Sequence, residues 1–241
     1  MIIGPIVDSA AVIVGGLGGA ALAKVIPQRI RTALPLTFGL ASMGLGIVFI
    51  VDVKQLPAVV LALIVGSLIG EWAFLEVGVT WVGNKARAVF ERLIPHDASH
   101  TTLSADAFSN QFVAVLVLFS ASGTGIFGAL TNGMTGDPTI LLAKSILDFF
   151  TAAIFATALG YVVAAIFIPQ FVIQMTLALC AGLLLPLTTP MMNADFSACG
   201  GLIMLATGFR ICGITKFPVV NFLPALVLVM PFSYLWTHFA P

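Results

Sequence analysis

The chain is 241 residues long, 60% hydrophobic and 8% charged, and its ten Lys and Arg residues balance ten Asp and Glu residues. A soluble domain carries about 25% charged residues, so this composition excludes a water-covered surface and describes a chain whose partner is the lipid bilayer. Zero net charge also excludes the basic footprint of a nucleic-acid binder.

The first cation, Lys24, follows the first apolar segment. A cleaved signal peptide has the reverse order, so that segment reads as a retained helix. Crossing a bilayer takes about 20 apolar residues in helical form. Eight segments meet that need: 5–25, 35–52, 57–76, 109–130, 139–166, 171–189, 195–213 and 218–237. Prolines at 27, 35, 57, 95, 138, 169, 190 and 218 punctuate them. The expected architecture is all-α: one integral membrane domain over 1–241, a polytopic helix bundle of about eight spans, or seven if the segment after Pro186 is re-entrant.

Cations set the orientation. With the N-terminus outside, Lys24, Arg29, Arg31, Lys85, Arg87, Arg92, Arg210 and Lys216 all fall in inside loops. Positive residues gather on the cytoplasmic side, so both termini are expected to be periplasmic. Within residues 78–108, Val79, Val82, Ala86, Val89 and Leu93 recur at helical spacing, with Lys85, Arg87, Glu91 and Arg92 between them. This predicts a cytoplasmic amphipathic helix on the membrane surface, then a loop. Lys54-Gln-Leu-Pro-Ala-Val-Val60 resembles Thr215-Lys-Phe-Pro-Val-Val-Asn221, and each precedes an apolar helix. The match fits an inverted-topology repeat, a common transporter plan.

The segment from 139 to 166 carries Lys144 and Asp148, four residues apart and so on one helix face. Ionisable groups inside a spanning helix are costly and commonly functional. Two readings compete: an ion pair that only holds helices together, and a site where Lys144 meets an anion or Asp148 a cation or proton. Ser145 lies beside Lys144. Asp137 precedes the helix and is placed to cap it. Upstream, Ser120, Ser122 and Thr124 are interleaved with Gly123 and Gly125. Close packing explains such small residues, and so does a broken helix that opens its backbone to a cavity. In Leu185-Pro-Leu-Thr188-Thr189-Pro190 the prolines end a helix. Either that is their whole role, or the segment is an unwound element of the site, and Asp195 is expected to cap the next helix.

Glu71 reads as one partner of an interfacial salt bridge. Asp8 and Ser9 open the first helix, and Gly15, Gly16, Gly18 and Gly19 suit a close helix crossing. Cys180, Cys199 and Cys212 read as packing residues. His96 and His100 have an i,i+4 spacing, but a solvated loop explains them, and no metal or cofactor motif is present. The combined expectation is a secondary transporter or channel for a small solute or ion. Its site would lie in the outer half of the bundle around Lys144, Asp148, Ser120, Ser122, Thr124, Asp137, Ser145, Thr188, Thr189 and Asp195. The alternative is a structural or regulatory membrane subunit without transport. No nucleophile–base pair or metal cluster points to an enzyme. Glycine-rich faces on the first two helices suit a homo-oligomer.

Several long polar motifs are also those of one family. Ile3-Gly-Pro5, Gly39-Leu-Ala-Ser-Met-Gly-Leu-Gly46, Ala121-Ser-Gly-Thr-Gly-Ile-Phe-Gly-Ala129, Gly133-Met-Thr-Gly-Asp-Pro138, Lys144-Ser-Ile-Leu-Asp-Phe-Phe-Thr-Ala152, Ala194-Asp-Phe-Ser197 and Arg210-Ile-Cys-Gly213 resemble the YqgA-like bacterial membrane proteins (domain of unknown function 554). The resemblance covers nearly the whole chain. It implies a multi-pass protein of the bacterial inner membrane and no particular chemistry. This chain departs from the pattern at Asp8, where relatives often carry Asn, so a ligand at that position would meet a different charge here.

Overall fold

The computed structural model describes residues 2–81, 112, 115–116, 118–120, 122–182 and 188–239. The expected amphipathic helix over 78–108 therefore lies almost wholly outside the described residues, as do 183–187 before Pro190. Among the described residues every regular element is a helix. They are α1 (Gly4–Ala21), α2 (Gln28–Ile50), α3 (Leu56–Trp72), α4 (Leu75–Trp81), α5 (Gly123–Thr135), α6 (Thr139–Leu159), α7 (Phe167–Gly182), α8 (Pro190–Ile211) and α9 (Leu223–Phe239). Short 3-10 segments, Gly160–Ile166 and Val219–Phe222, lead into α7 and α9. Proline stands in the first turn of α1, α3 and α8, where its missing N–H breaks no helical bond.

Among the described residues, three helical runs suffice by length and apolarity to cross a membrane: Gly4–Ala21, Thr139–Ala181 and Val219–Phe239. Leu56–Trp72 with Leu75–Trp81, bent by 49° at the break, makes a fourth. That is fewer than the eight expected, for identifiable reasons. The apolar part of α2, Leu36–Ile50, is short. The expected span 109–130 is interrupted at Ser122, whose extended backbone starts α5 afresh. The expected span 195–213 begins earlier, at Pro190, and carries Asp195 and Arg210. The run Thr139–Ala181 also combines two expected spans, and it does not run straight. Gln170 Nε2 donates to Asp148 Oδ2 at 3.0 Å, whereas 22 residues of straight helix would hold them about 33 Å apart. The chain therefore folds back at Gly160–Ile166. Gly160 supplies the reversal with φ +74°, a left-handed value that glycine adopts without a steric penalty.

The chain divides into two compact units, Met1–Pro35 with Gly78–Ala181, and Leu36–Val77 with Gly182–Pro241. In the first unit α1 and α6 run parallel. Gly4 lies against Leu141, Gly15 against Phe149 and Gly19 against Ala153, and a Cβ at Gly15 or Gly19 would collide with the opposing backbone. A buried apolar core of Val12, Phe112, Leu116, Phe119, Ala152 and Ile166 fills this unit. In the second unit α2 runs antiparallel to α8, Gly39 meeting Gly208 and Gly46 meeting Gly201, while α3 runs antiparallel to α9, Gly66 meeting Ala225 and Gly70 meeting Asn221. Gly15 and Gly19 of α1 and Gly39 and Gly46 of α2 are thus covered by helices of the same chain. Large apolar side chains point outward instead, among them Leu40, Leu68 and Val227, as suits a lipid-facing surface.

The α1–α6 contact sets a paired expectation. Gly19→Val should lower the melting temperature in detergent, at a cost of at least about 1–3 kcal/mol of overpacking. Gly18→Ala, whose added Cβ meets nothing within 4 Å, should be neutral or stabilising by up to about 1 kcal/mol. Equal losses at both positions would contradict the packing described.

Candidate functional site

The parallel register of α1 and α6 brings Asp8 level with Lys144 and Asp148. All three are buried, Asp8 at 0%, Lys144 at 3% and Asp148 at 9% exposure. Lys144 Nζ donates to Asp8 Oδ2 at 3.0 Å and also to Asp148 Oδ2. The returning helix α7 adds two buried amides. Gln170 Nε2 and Gln174 Nε2 each donate to Asp8 Oδ2 at 2.6 Å. Asp8 Oδ2 is therefore the hub of the cluster, facing three donors from two other helices. Gln170 and Gln174 stand one turn apart on α7, as Lys144 and Asp148 do on α6, so each pair presents one helical face.

α5 closes the cluster from a further side. Its N-cap, Ser122, has an extended backbone and accepts from Gly125 N–H through its hydroxyl. A Cβ at Gly125 would lie 2.9 Å from Lys144 Cε and 3.2 Å from Gln174 Nε2. The broken start of α5 thus abuts the Lys144 and Gln174 side chains of the cluster. The ring of Phe119 lies 5.9 Å from Lys144 Nζ, within cation–π range.

Two features set this cluster apart from a satisfied ion pair. With all three groups ionised, two carboxylates face one ammonium, which leaves a net charge of −1 in a buried place. Moreover, Asp8 Oδ1, Gln170 Oε1 and Gln174 Oε1 are buried without a hydrogen-bond partner among the described residues. A lone buried acceptor costs about 1–3 kcal/mol, and native interiors hold few of them.

The sequence-derived candidates separate by unit. In the first unit, Ser120 is buried with its hydroxyl unpartnered, Ser122 caps α5, and Thr124 is buried in the first turn of α5. Ser145 donates to Leu142 O of its own helix at 2.7 Å. Asp137 is exposed about two turns from Lys144. Its Oδ1 accepts from Thr139 Oγ1 at 2.5 Å and from Thr139 N–H at 2.9 Å, bonds that hold its carboxyl below the usual carboxylate range. Thr188, Thr189 and Asp195 belong to the second unit. Thr189, not Asp195, caps α8, accepting from Met192 N–H at 3.2 Å. Asp195 caps a different helix. Its Oδ1 accepts from Lys54 N–H and Gln55 N–H at 2.8 Å each, at the start of α3, and its Oδ2 accepts from Ser233 Oγ at 2.5 Å. This carboxylate is fully bonded, so it ties α3, α8 and α9 together. Thr189 also lines a largely apolar cavity of about 500 Å³ with Lys54, Met191, Tyr234 and His238.

Among the described residues Glu71 does not meet the cation expected for it. It accepts from Asn221 Nδ2 at 2.5 Å, while Arg210 pairs with Glu76 at 2.5 Å. Among the described residues, no group of three or more His, Cys, Asp or Glu side chains suits a metal. Sequence reasoning on Lys144 and Asp148 left out Asp8 as their partner and both glutamines. The available sign was Gln170 and Gln174, an i,i+4 polar pair in an apolar run.

Comparisons with known proteins agree on kinship. Residues 3–234 match the family described as a protein of unknown function (DUF554). The chain is 55% identical over 237 residues to the uncharacterized protein YqgA of Escherichia coli (strain K12), covering 98% of each. It is 26% identical over 230 residues to the uncharacterized membrane protein YdfK of Bacillus subtilis (strain 168), covering 93% of each. No solved structure matches.

Charge arithmetic yields an asymmetric expectation. Lys144→Met strands two buried carboxylates and should cost about 3–5 kcal/mol, whereas Asp148→Asn leaves one charge of each sign and should keep wild-type stability or better. Unfolding of the purified variants in choline salts measures both, and the reverse order would refute the count. Separately, Asp195→Ala should cost about 2 kcal/mol by uncapping α3, and a loss under about 0.5 kcal/mol in the same measurement would deny it a capping role.

Proposed function

We propose, from the premise that this chain belongs to the DUF554 family, that it is a membrane transporter or channel for a small solute or ion, and that the Asp8–Lys144–Asp148 cluster is its site. The observation that carries the reading is a buried polar cluster, drawn from α1, α6 and α7 and faced by the broken start of α5, that leaves three acceptor oxygens unmet among the described residues. Groups that only held helices together would be satisfied, as Asp195 is. Discontinuous helices beside buried charge are also how many transporters build a binding site.

In this reading the protein lies in the bacterial inner membrane as a multi-pass chain with both termini periplasmic. The two legs of Thr139–Ala181 count as separate spans, and α2–α3 and α8–α9, packed antiparallel, correspond to the inverted repeat. The sequence carries no nucleotide-binding motif, so in this reading an ion gradient or a partner drives movement, and no covalent chemistry is proposed.

A second reading is a membrane subunit without transport. What favours it is the close packing of Lys144, 3% exposed, against both carboxylates. Flux into proteoliposomes separates the two. With a panel of cations, anions and amino acids, the wild type should carry at least one solute. Asp148→Asn should cut that flux at least about tenfold, as removal of a charge-assisted contact would, and Asp137→Asn should leave it unchanged. No flux for any solute, or full flux in Asp148→Asn, would favour the subunit.

A further inference from the structure

The unmet atoms of the cluster are of one kind. Asp8 Oδ1, Gln170 Oε1 and Gln174 Oε1 are all acceptors, and their residues are 0–1% exposed. Each also lies near Asp8 Oδ2. Each amide nitrogen is 2.6 Å from Asp8 Oδ2, and an amide is roughly 2.2 Å across from nitrogen to oxygen by its bond lengths. Both glutamine carbonyls are therefore within about 5 Å of that one atom, and Asp8 Oδ1 shares its carboxylate. The amide orientations are set by their surroundings. Turning either amide over would press its carbonyl against the Asp8 carboxylate, so both nitrogens must face it and both oxygens must face away.

We infer that Asp8 Oδ1 and the side-chain carbonyls of Gln170 and Gln174 bind one dehydrated monovalent alkali cation. Charge and donor type select it together. The cluster carries −1 with its groups ionised, so a single positive charge neutralises it and a divalent ion would overshoot. Carboxylate and carbonyl oxygens are the ligands that hard cations prefer. An anion would meet three acceptors and be repelled. A proton would occupy one oxygen and leave two carbonyls unmet. Water could satisfy the carbonyls but would leave the charge in place. The Lys144 ammonium facing Asp8 Oδ2 and Asp148 Oδ2 keeps those two oxygens engaged, which confines the ion to the opposite edge of Asp8. As the coupling ion of a transporter this site rests on the reading proposed above; as a binding site it stands on these atoms.

The test uses the full-length purified protein in nanodiscs, unfolded thermally in sodium, potassium or choline chloride at one ionic strength. An alkali chloride should raise the melting temperature by several degrees over choline and then saturate, as a ligand that binds only the folded state does. Asp8→Asn should remain folded in choline and lose the saturable rise. Gln174→Met, of similar size but without the carbonyl, should raise the half-saturating concentration by roughly tenfold. Equal melting temperatures in all three salts would overturn the inference, as would an undiminished rise in Asp8→Asn. A melting temperature that climbs as pH falls in choline, with no alkali effect, would assign the balancing charge to a proton shared by Asp8, Lys144 and Asp148 and equally overturn it. Saturable alkali binding without flux of any solute would keep the site and remove transport, whereas flux without alkali binding would do the opposite.

Discussion

A carboxylate taken out of water must be met by donors from the protein itself, because lipid supplies none. Asp8 imposes that requirement on the first unit. Its Oδ2 takes one ammonium and two amides, and those donors come from α6 and α7. To bring them there, α1 must lie parallel to α6 at backbone contact, and the chain must fold back after α6 so that α7 returns beside it. The notch formed by Gly15 and Gly19, the left-handed turn at Gly160 and the small residue at Gly125 each serve that convergence. A larger side chain at Gly15, Gly19 or Gly125 would push a helix away from the hub, and one at Gly160 would strain the turn itself.

The second unit solves the same problem differently. Asp195 is as deeply buried as Asp8, yet its donors are the N–H groups that open α3 together with one hydroxyl. A helix N-terminus spreads partial positive charge over fixed backbone atoms, so this carboxylate is held without a lysine and without an unmet oxygen. One buried acid is thus complete and the other is incomplete, and that difference separates a structural tie from a candidate site.

The sequence made parts of this legible and hid others for physical reasons. Pro57 marked the start of α3, and the i,i+4 spacing of Lys144 and Asp148 put them on one face. The Ser122 break was visible as a run of small polar residues. Asp8 looked like an end-of-helix acid because its partners lie 136 to 166 residues away, and no local pattern records such a distance. Gln170 and Gln174 are neutral, so a count of charges passes over them. Proline also drew attention to position 169 as the break after α6. The chain instead reverses at Gly160, and Pro169 sits in the first turn of α7, where proline is tolerated. Asp195 was expected to cap its own helix, but Thr189 and Pro190 start that helix earlier and leave the acid free to reach α3.

The distance between Asp8 and its donors has a bearing on how the chain is made. Asp8 leaves the ribosome before its donors, and Lys144 follows 136 residues later. At about 5–20 residues per second, the acid waits roughly 7–27 s for its ammonium, and longer for Gln170 and Gln174. During that interval α1 cannot settle at its final depth with a bare carboxylate. The nascent α1 is thus a late-docking element, drawn into place only when α6 and α7 arrive together.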